Sequence, residues 1–362
     1  MRDPRAEHAL DRAAGGGVMG YVSGPSGYSE QPVPGSGPSD SGRHVSSDPA
    51  SRWLDTSSRI GARWGSLAGL VALAAVVLSS ARCGGTPDSG TGPTPPDPPV
   101  SAHDPVLVGA GDIAMCPLGA QSATALLLDR IGGTVFTTGD NVYDAPTPAK
   151  YADCYGPAWG RHLERTRPVP GNHDYDPPGS SGYFGYFGEN AGPKGLGYYS
   201  YDVATWHVIA LNSQIGMQAG SAQYAWLQSD LAANPVRCTV AYFHYPLFSS
   251  SQNGPTASVR DLWRLLYDGG ADVILNGNDH VYERFAPQDP SGKADAARGI
   301  RQFTVGTGGA ELYGFGTPAP NSEIRASVHG VLKLYLQASG YAWEFVPVAG
   351  QSFRDGGTGT CH

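Results

Sequence analysis

The sequence predicts an α/β domain built as a sandwich of two sheets with helices outside. Three observations carry that expectation. Between residues 105 and 275, short β-branched or aromatic runs alternate with segments of helical period. Several of those runs feed an Asp, Asn or His at what would be the carboxyl end of a strand, the edge where open α/β folds place their sites. Nearer the end, 302–305, 331–336 and 342–346 read as strands with no helix between them, the mark of antiparallel pairing.

Taken in order, Val106-Leu107-Val108 is a short strand feeding Asp112. Residues 120–131 carry Ala123, Leu126, Leu127 and Ile131 at helical spacing, and Thr134-Val135-Phe136-Thr137 is the next strand, feeding Asp140. The start is therefore a βαβ unit with a candidate site residue after each strand. Arg167-Pro168-Val169-Pro170 delivers Asn172 and His173. Residues 198–212 alternate through Tyr199, Tyr201, Trp206, Val208 and Ala210 with a break near Ala204, as two hairpin strands would. Residues 221–233 read as an amphipathic helix with Tyr224, Leu227 and Leu231 on one face. Thr239-Val240-Ala241-Tyr242-Phe243 is a strand ending at His244, residues 259–266 are helical, and Ala271-Asp272-Val273-Ile274-Leu275 is the strand before Gly277. Gly306-Thr307-Gly308-Gly309 follows a strand but opens no helix, which argues against a dinucleotide loop. It reads as a tight turn at the site edge, with access to substrate. His207 lies inside an alternating strand and reads as structural, and His103, His162, His329 and His362 belong to no motif.

The chain has 362 residues, and the first hundred are rich in Gly, Ser, Pro and Arg, with too little apolar surface to offset ordering entropy. Residues 1–58 are expected to be disordered. Within 59–83, the apolar run Trp64–Leu78 follows Arg59 and Arg63. At 15 residues it is short for a membrane span of ~20. It fits the hydrophobic part of an export signal, with Ser79-Ser80-Ala81 as small residues for cleavage, or an anchor that tethers the protein to a membrane. Cys83 stands where a bacterial lipoprotein carries its lipidated Cys, although Arg82 replaces the usual small residue. Residues 84–104, with Pro93-Thr94-Pro95-Pro96-Asp97-Pro98-Pro99, read as a semi-extended linker. Residues 105–362 remain for one domain, long enough for a large core. The net charge of −8 and the lack of any long Lys/Arg run argue against a nucleic-acid surface. Four cysteines fall in the domain. Cys116 and Cys154 each follow a site string on the same sheet edge, and Cys238 with the penultimate Cys361 would pin the tail. An even number plus export favours two disulfides, and of the three pairings allowed these are expected.

Five strings carry the chemistry. They are Gly111-Asp112, Gly139-Asp140-Asn141-Val142-Tyr143, Gly171-Asn172-His173-Asp174, His244 after its strand, and Gly277-Asn278-Asp279-His280. Singly, each Asp or Asn is a common turn or cap residue and each His a common core residue. Together they supply what two cations ~4 Å apart require: a bridging carboxylate, hard oxygen donors and imidazoles. Asp140 is the natural bridge. Asp112 and His280 would serve one metal, Asn172 and His244 the other, and His173 would face substrate.

At these residues the sequence resembles the calcineurin-like metallophosphoesterase superfamily over residues 104–350. Two details narrow the resemblance. The first string lacks the His of the superfamily's usual Gly-Asp-x-His and reads Gly111-Asp112-Ile113-Ala114. In purple acid phosphatases that imidazole is replaced by a Tyr three residues after the bridging Asp, where Tyr143 stands. The string His280-Val281-Tyr282-Glu283-Arg284 is also similar to theirs. The resemblance implies a four-layer α/β/β/α sandwich of two mixed sheets. It also implies two divalent or trivalent metal ions, Fe with Zn or Mn, with a Tyr143 phenolate marking the first as iron. Asn278 departs from the pattern by replacing a His that serves the second metal. Asn278 is kept in the ligand set, with a weaker donor than imidazole. Glu283 and Arg284 are expected to form an ion pair steadying the loop of His280.

The implied activity is hydrolysis of a small-molecule phosphomonoester outside the cytoplasm, by a metal-bound hydroxide, with His173 stabilising the transition state or protonating the leaving oxygen. Two alternatives stand beside it. One is a phosphodiesterase or nucleotide hydrolase on the same site. The other is a non-catalytic surface binding protein with a weakened second metal site, for which Asn278 is the motive.

Overall fold

The structure is a computed structural model and describes residues 100–101, 103–176 and 179–362. The segments expected as disordered, export or anchor, and most of the linker lie outside the described residues, as does Cys83.

Three consecutive parallel neighbours open the first sheet: β1 Val106–Ala110, β2 Thr134–Thr137 and β3 Thr166–Pro168. Between β1 and β2 runs α1 Gln121–Leu128, and between β2 and β3 lie the short α2 Pro148–Lys150, a π-helix at Tyr151–Tyr155 and a 3-10 segment at Trp159–Arg165. A further 3-10 turn, His173–Tyr175, and α3 Ser181–Phe187 follow β3. The second sheet begins with the hairpin β4 Tyr199–Val203 and β5 Trp206–Ala210, and Ala204 in the turn has φ 54°. After α4 Ala222–Ala233 comes β6 Cys238–Tyr242, then α5 Arg260–Asp268 and β7 Val273–Asn276. The chain closes with β8 Tyr282–Phe285, β9 Arg301–Val305, β10 Ser322–Ala326, β11 Gly330–Gln337, β12 Gly340–Pro347 and β13 Asp355–Thr360.

Six strands make the first sheet in the order β13-β12-β11-β1-β2-β3, and seven make the second in the order β10-β8-β9-β7-β6-β5-β4. Both are mixed. β11 and β12 pair antiparallel as their sequence implies. The segment 302–305 is antiparallel on one side only: β9 runs antiparallel to β8 and parallel to β7. Its antiparallel partner is the short strand β8, Tyr282–Phe285, within the same sheet.

The sheets meet through aromatic contacts. Phe136 and Tyr242 rings lie 5.8 Å apart, Trp206 and Tyr341 6.0 Å, and Tyr282 and Phe345 4.4 Å. On the second sheet, Val208 and Val240 belong to this inner core, whereas Ile209, Ala241 and Ile274 face outward onto Leu227 of α4 and Leu262, Trp263 and Leu266 of α5. Successive residues on a strand point to opposite faces, so both faces of these strands are covered and the runs are apolar throughout. Ser221 caps α4 by accepting the Tyr224 N–H at 3.2 Å. The architecture is two mixed sheets with helices outside, as expected.

Two disulfides are present, Cys116–Cys154 and Cys238–Cys361, the expected pairing. The first joins the loop after β1 to the π-helix after β2, and the second ties the last residues to the start of β6.

Candidate metal centre

Asp112, Asp140, Asn172, His244 and His280 all follow the carboxyl ends of parallel strands: β1, β2 and β3 in one sheet, β6 and β7 in the other. The two edges are sewn together there. Gly111 N–H donates to Val305 O at 2.9 Å, Gly308 N–H to Gly111 O at 2.8 Å, and Ala310 N–H to Asp112 O at 2.8 Å. Asp112 (φ 58°), Asp140 (φ 50°) and Asn278 (φ 66°) adopt left-handed backbone that non-glycine residues rarely take. Such strain persists where surrounding structure enforces it, commonly at functional sites. Gly139, at φ 92°, has no room for a side chain: a Cβ would stand 2.7 Å from His244 Nδ1 and from Gly171 N. Its bareness lets three ligand loops close on one another.

The side chains form two groups that share one atom. In the first, Tyr143 Oη lies 2.9 Å from Asp112 Oδ1, 3.1 Å from Asp140 Oδ2 and 3.0 Å from His280 Nε2. In the second, His244 Nε2 lies 3.1 Å from Asn172 Oδ1 and 3.4 Å from Asp140 Oδ2. Asp140 Oδ2 belongs to both, while its Oδ1 accepts the His173 backbone N–H at 2.9 Å. Both imidazoles are oriented from behind. His244 Nδ1 meets Thr138 O at 2.8 Å and His280 Nδ1 meets Glu311 O at 2.5 Å. A carbonyl accepts only, so each Nδ1 carries a proton and each Nε2 turns inward, the arrangement metal-binding histidines use.

This donor set fits a pair of cations. His244 Nε2, Asn172 Oδ1 and Asp140 Oδ2 are acceptors turned on one another, and only a proton or a cation satisfies them. Without metal the protein holds protons there. Burial disfavours an imidazolium at His244, but the Asp140 carboxylate outweighs it and lifts the group to about 9. Burial, then Asp112 and Asp140, push the Tyr143 phenol well above its ordinary range. Burial favours the neutral acid at Asp140, yet the His244 charge prevails and holds it below the usual carboxylate range.

The structure thus gathers Asp112, Asp140, Tyr143, Asn172, His244 and His280. Asn278 touches the group through its backbone: its N–H donates to Asp112 Oδ2 at 3.0 Å, while its side-chain Nδ2 donates to Asp279 Oδ1 at 3.3 Å. His173 sits at the rim with its ring against Tyr143, centroids 4.6 Å apart. His207 is structural, held between Asp202 and Asp230.

Two expectations are corrected. Glu283 and Arg284 do not pair with each other. Glu283 accepts from Ser250 and Ser322, and Arg284 pairs with Asp355 and Glu323, because neighbours on β8 point to opposite faces. The Gly306–Gly309 turn gives no access to substrate. It is buried against the back of Asp112, where a Cβ on Gly306 would stand 2.6 Å from Asp112 Oδ2.

Three residues were not found from the sequence. Asp174, fully buried, accepts from Gly171 N–H (2.9 Å), Asn141 N–H (3.1 Å), Asn141 Nδ2 (2.9 Å) and Tyr151 Oη (2.5 Å), tying the loops of Asp140 and Asn172 together. Burial and the nearby Asp140 charge raise it to about 6. Tyr313 stacks on His280 at 4.0 Å and 11°, and Asp176 stands beside His173. Asp174 had a signal, its place in the third string. Tyr313 and Asp176 had none.

Residues 109–282 match the family model described as calcineurin-like phosphoesterase. The chain carries a calcineurin-like phosphoesterase domain. Purple acid phosphatase 21 of Arabidopsis thaliana is 33% identical over 283 residues, covering 70% of this chain and 61% of that protein. Purple acid phosphatase 22 of the same plant is 31% identical, covering 70% and 62%. The chain thus spans about three fifths of the length of these curated relatives. Among solved structures, a purple acid phosphatase from yellow lupin seeds shares the phosphoesterase fold with a TM-score of 0.57 at 19% identity, covering 72% of this chain and 54% of the other. Among the described residues, one further cluster of metal-ligand types, Cys238, Asp272 and Cys361, is accounted for by the second disulfide.

Proposed function

We propose that the protein is an exported, binuclear metal-dependent phosphatase acting on phosphomonoesters. The observation that carries this reading is the sharing of Asp140 Oδ2 between two donor groups. Similarity to purple acid phosphatases favours monoesters over diesters or nucleotides. The first cation would take Asp112, Asp140, Tyr143 and His280, and the second Asp140, Asn172 and His244. Iron suits the first because only a strongly polarising ion displaces a proton from so basic a phenol. Zn or Mn suits the second. Two cations would supply Lewis acidity toward the phosphoryl oxygens and acidify a water.

The chain's own residues do the rest. Burial of Asp112, Asp140 and His244 removes competing solvent, which strengthens their hold on charge. His173, with its backbone fixed by Asp140 and its ring by Tyr143, offers its open edge to the ester and gives a proton to the leaving oxygen.

Export is supported by the two disulfides, which persist in oxidising compartments. No helix among the described residues is long and apolar enough to cross a membrane. Residues 105–362 form the catalytic domain, so removal of residues 1–99 should leave folding intact, as read by circular dichroism and thermal melting.

Metal analysis with a screen of monoesters and diesters tests the reading. Two metals per chain with monoester turnover is the expected result. Metal-free protein without turnover favours the non-catalytic surface protein, a reading that draws on the Asn278 amide being engaged by Asp279. A diester preference favours the phosphodiesterase.

A further inference from the structure

Asp176 lies outside the ligand strings, and a role for it in catalysis rests on the phosphatase reading. Asp176 closes the short turn His173–Tyr175, its backbone N–H donating to His173 O at 3.4 Å. That return brings Oδ2 to 2.7 Å from His173 Nδ1. The approach is not in line enough to make a hydrogen bond, so the carboxylate acts on the ring by close contact at its Nδ1 edge. His173 Nδ1 is buried, yet 34% of the side chain is exposed, which leaves the opposite edge, with Nε2, as the open one. The ring is thus held from three sides: by its backbone on Asp140, by the Tyr143 ring and by the Asp176 carboxylate.

We infer that Asp176 is the positioning residue for His173, fixing the ring so that Nε2 delivers its proton to the leaving oxygen of the ester. As the bond from phosphorus to that oxygen breaks, the oxygen takes the Nε2 proton and departs as the alcohol. A water oxygen forms the new bond to phosphorus and gives up one proton to solvent, and the ring recovers one from solvent. The carboxylate holds the orientation of the ring throughout.

A weakly acidic leaving alcohol needs this proton, and a strongly acidic phenol leaves nearly without it. The contribution of Asp176 therefore depends on the leaving group, which a merely structural role would not produce. General acid catalysis is worth ~100-fold or more, and loss of its positioning a part of that.

The test compares the metal-loaded wild type with Asp176→Asn, Asp176→Glu and His173→Ala, using p-nitrophenyl phosphate and glycerol phosphate as substrates and elemental analysis for metal content. Asp176→Asn should keep its metals and lower kcat on glycerol phosphate by ~10-fold or more, against only ~2- to 3-fold on p-nitrophenyl phosphate. Asp176→Glu should recover part of the alkyl-ester rate. In the His173→Ala background, Asp176→Asn should cost nothing further. Equal losses on both esters, loss of metal from Asp176→Asn, or an undiminished effect without His173 would overturn the assignment while leaving the phosphatase reading in place. A metal-loaded wild type that hydrolyses neither ester would overturn that reading itself.

Discussion

Around Tyr143 Oη three donors stand within 3.1 Å, whereas around His244 Nε2 there are two, at 3.1 and 3.4 Å. The first group is also the better braced. His280 is fixed by the Glu311 carbonyl on one side and the Tyr313 ring on its face. In the second, Asn172 is a neutral amide, and the Asn278 side chain is engaged by Asp279. Sharing one carboxylate therefore does not make two equal sites. A first metal should enter the Tyr143 group tightly, and a second should enter the His244 group weakly.

The largest effect should come from the atom the halves share. Asp140→Asn weakens the hold on both cations at once. A change beyond the ligands themselves shifts affinity ~10–100-fold, so a bridging ligand should cost at least that for each metal and reduce turnover to background. Elemental analysis and a phosphatase assay check this. Retention of both metals would show that the two halves do not meet at Asp140.

Next comes the proton held at His244. In metal-free protein His244 is raised to about 9, above its unfolded value of about 6.5. The folded state binds the extra proton, so this stabilisation is fully present below about pH 6.5 and is lost as pH rises through 9. Melting of metal-free protein should lose on the order of 3 kcal/mol across that window. Metal-loaded protein should not, because Nε2 then holds a cation. Loading at pH 7 should also release protons, readable with an indicator dye.

Tyr143→Phe probes the first half alone. It should weaken the first metal by ~10-fold or more. It should also abolish the visible charge-transfer band of oxidised, iron-loaded protein. A colourless wild type would remove Tyr143 from the ligands.

Much of this was legible in the sequence because Asp112, Asp140, His244 and His280 follow apolar strands that pair parallel with a neighbour, so register delivers them to one edge. The Cys116–Cys154 bridge was legible for the same reason. What escaped depends on contacts between distant residues. β13, Asp-Gly-Gly-Thr-Gly-Thr, has no apolar pattern, and its glycines exist to admit aromatics from β12. A Cβ on Gly357 would stand 2.6 Å from Trp343 Cζ2. Arg284 was misread because its partner, Asp355, is on that same unseen strand. Tyr313 reaches His280 from a loop with no periodic signal.

The smallest effect is expected at the weaker half. Asn278→His offers imidazole where an amide now faces Asp279, and a His tolerates the left-handed backbone there. It should lower the Mn or Zn concentration needed for half-maximal loading by roughly 10-fold, with no required gain in turnover.

Equilibrium dialysis of metal-free wild-type protein against increasing free Zn, with bound metal counted per chain, reads the two halves directly. Two metals should bind in two steps, the second requiring ~10-fold or more higher free metal than the first. Two metals bound in a single step would contradict the unequal halves, and saturation at one metal would contradict the shared carboxylate as a bridge.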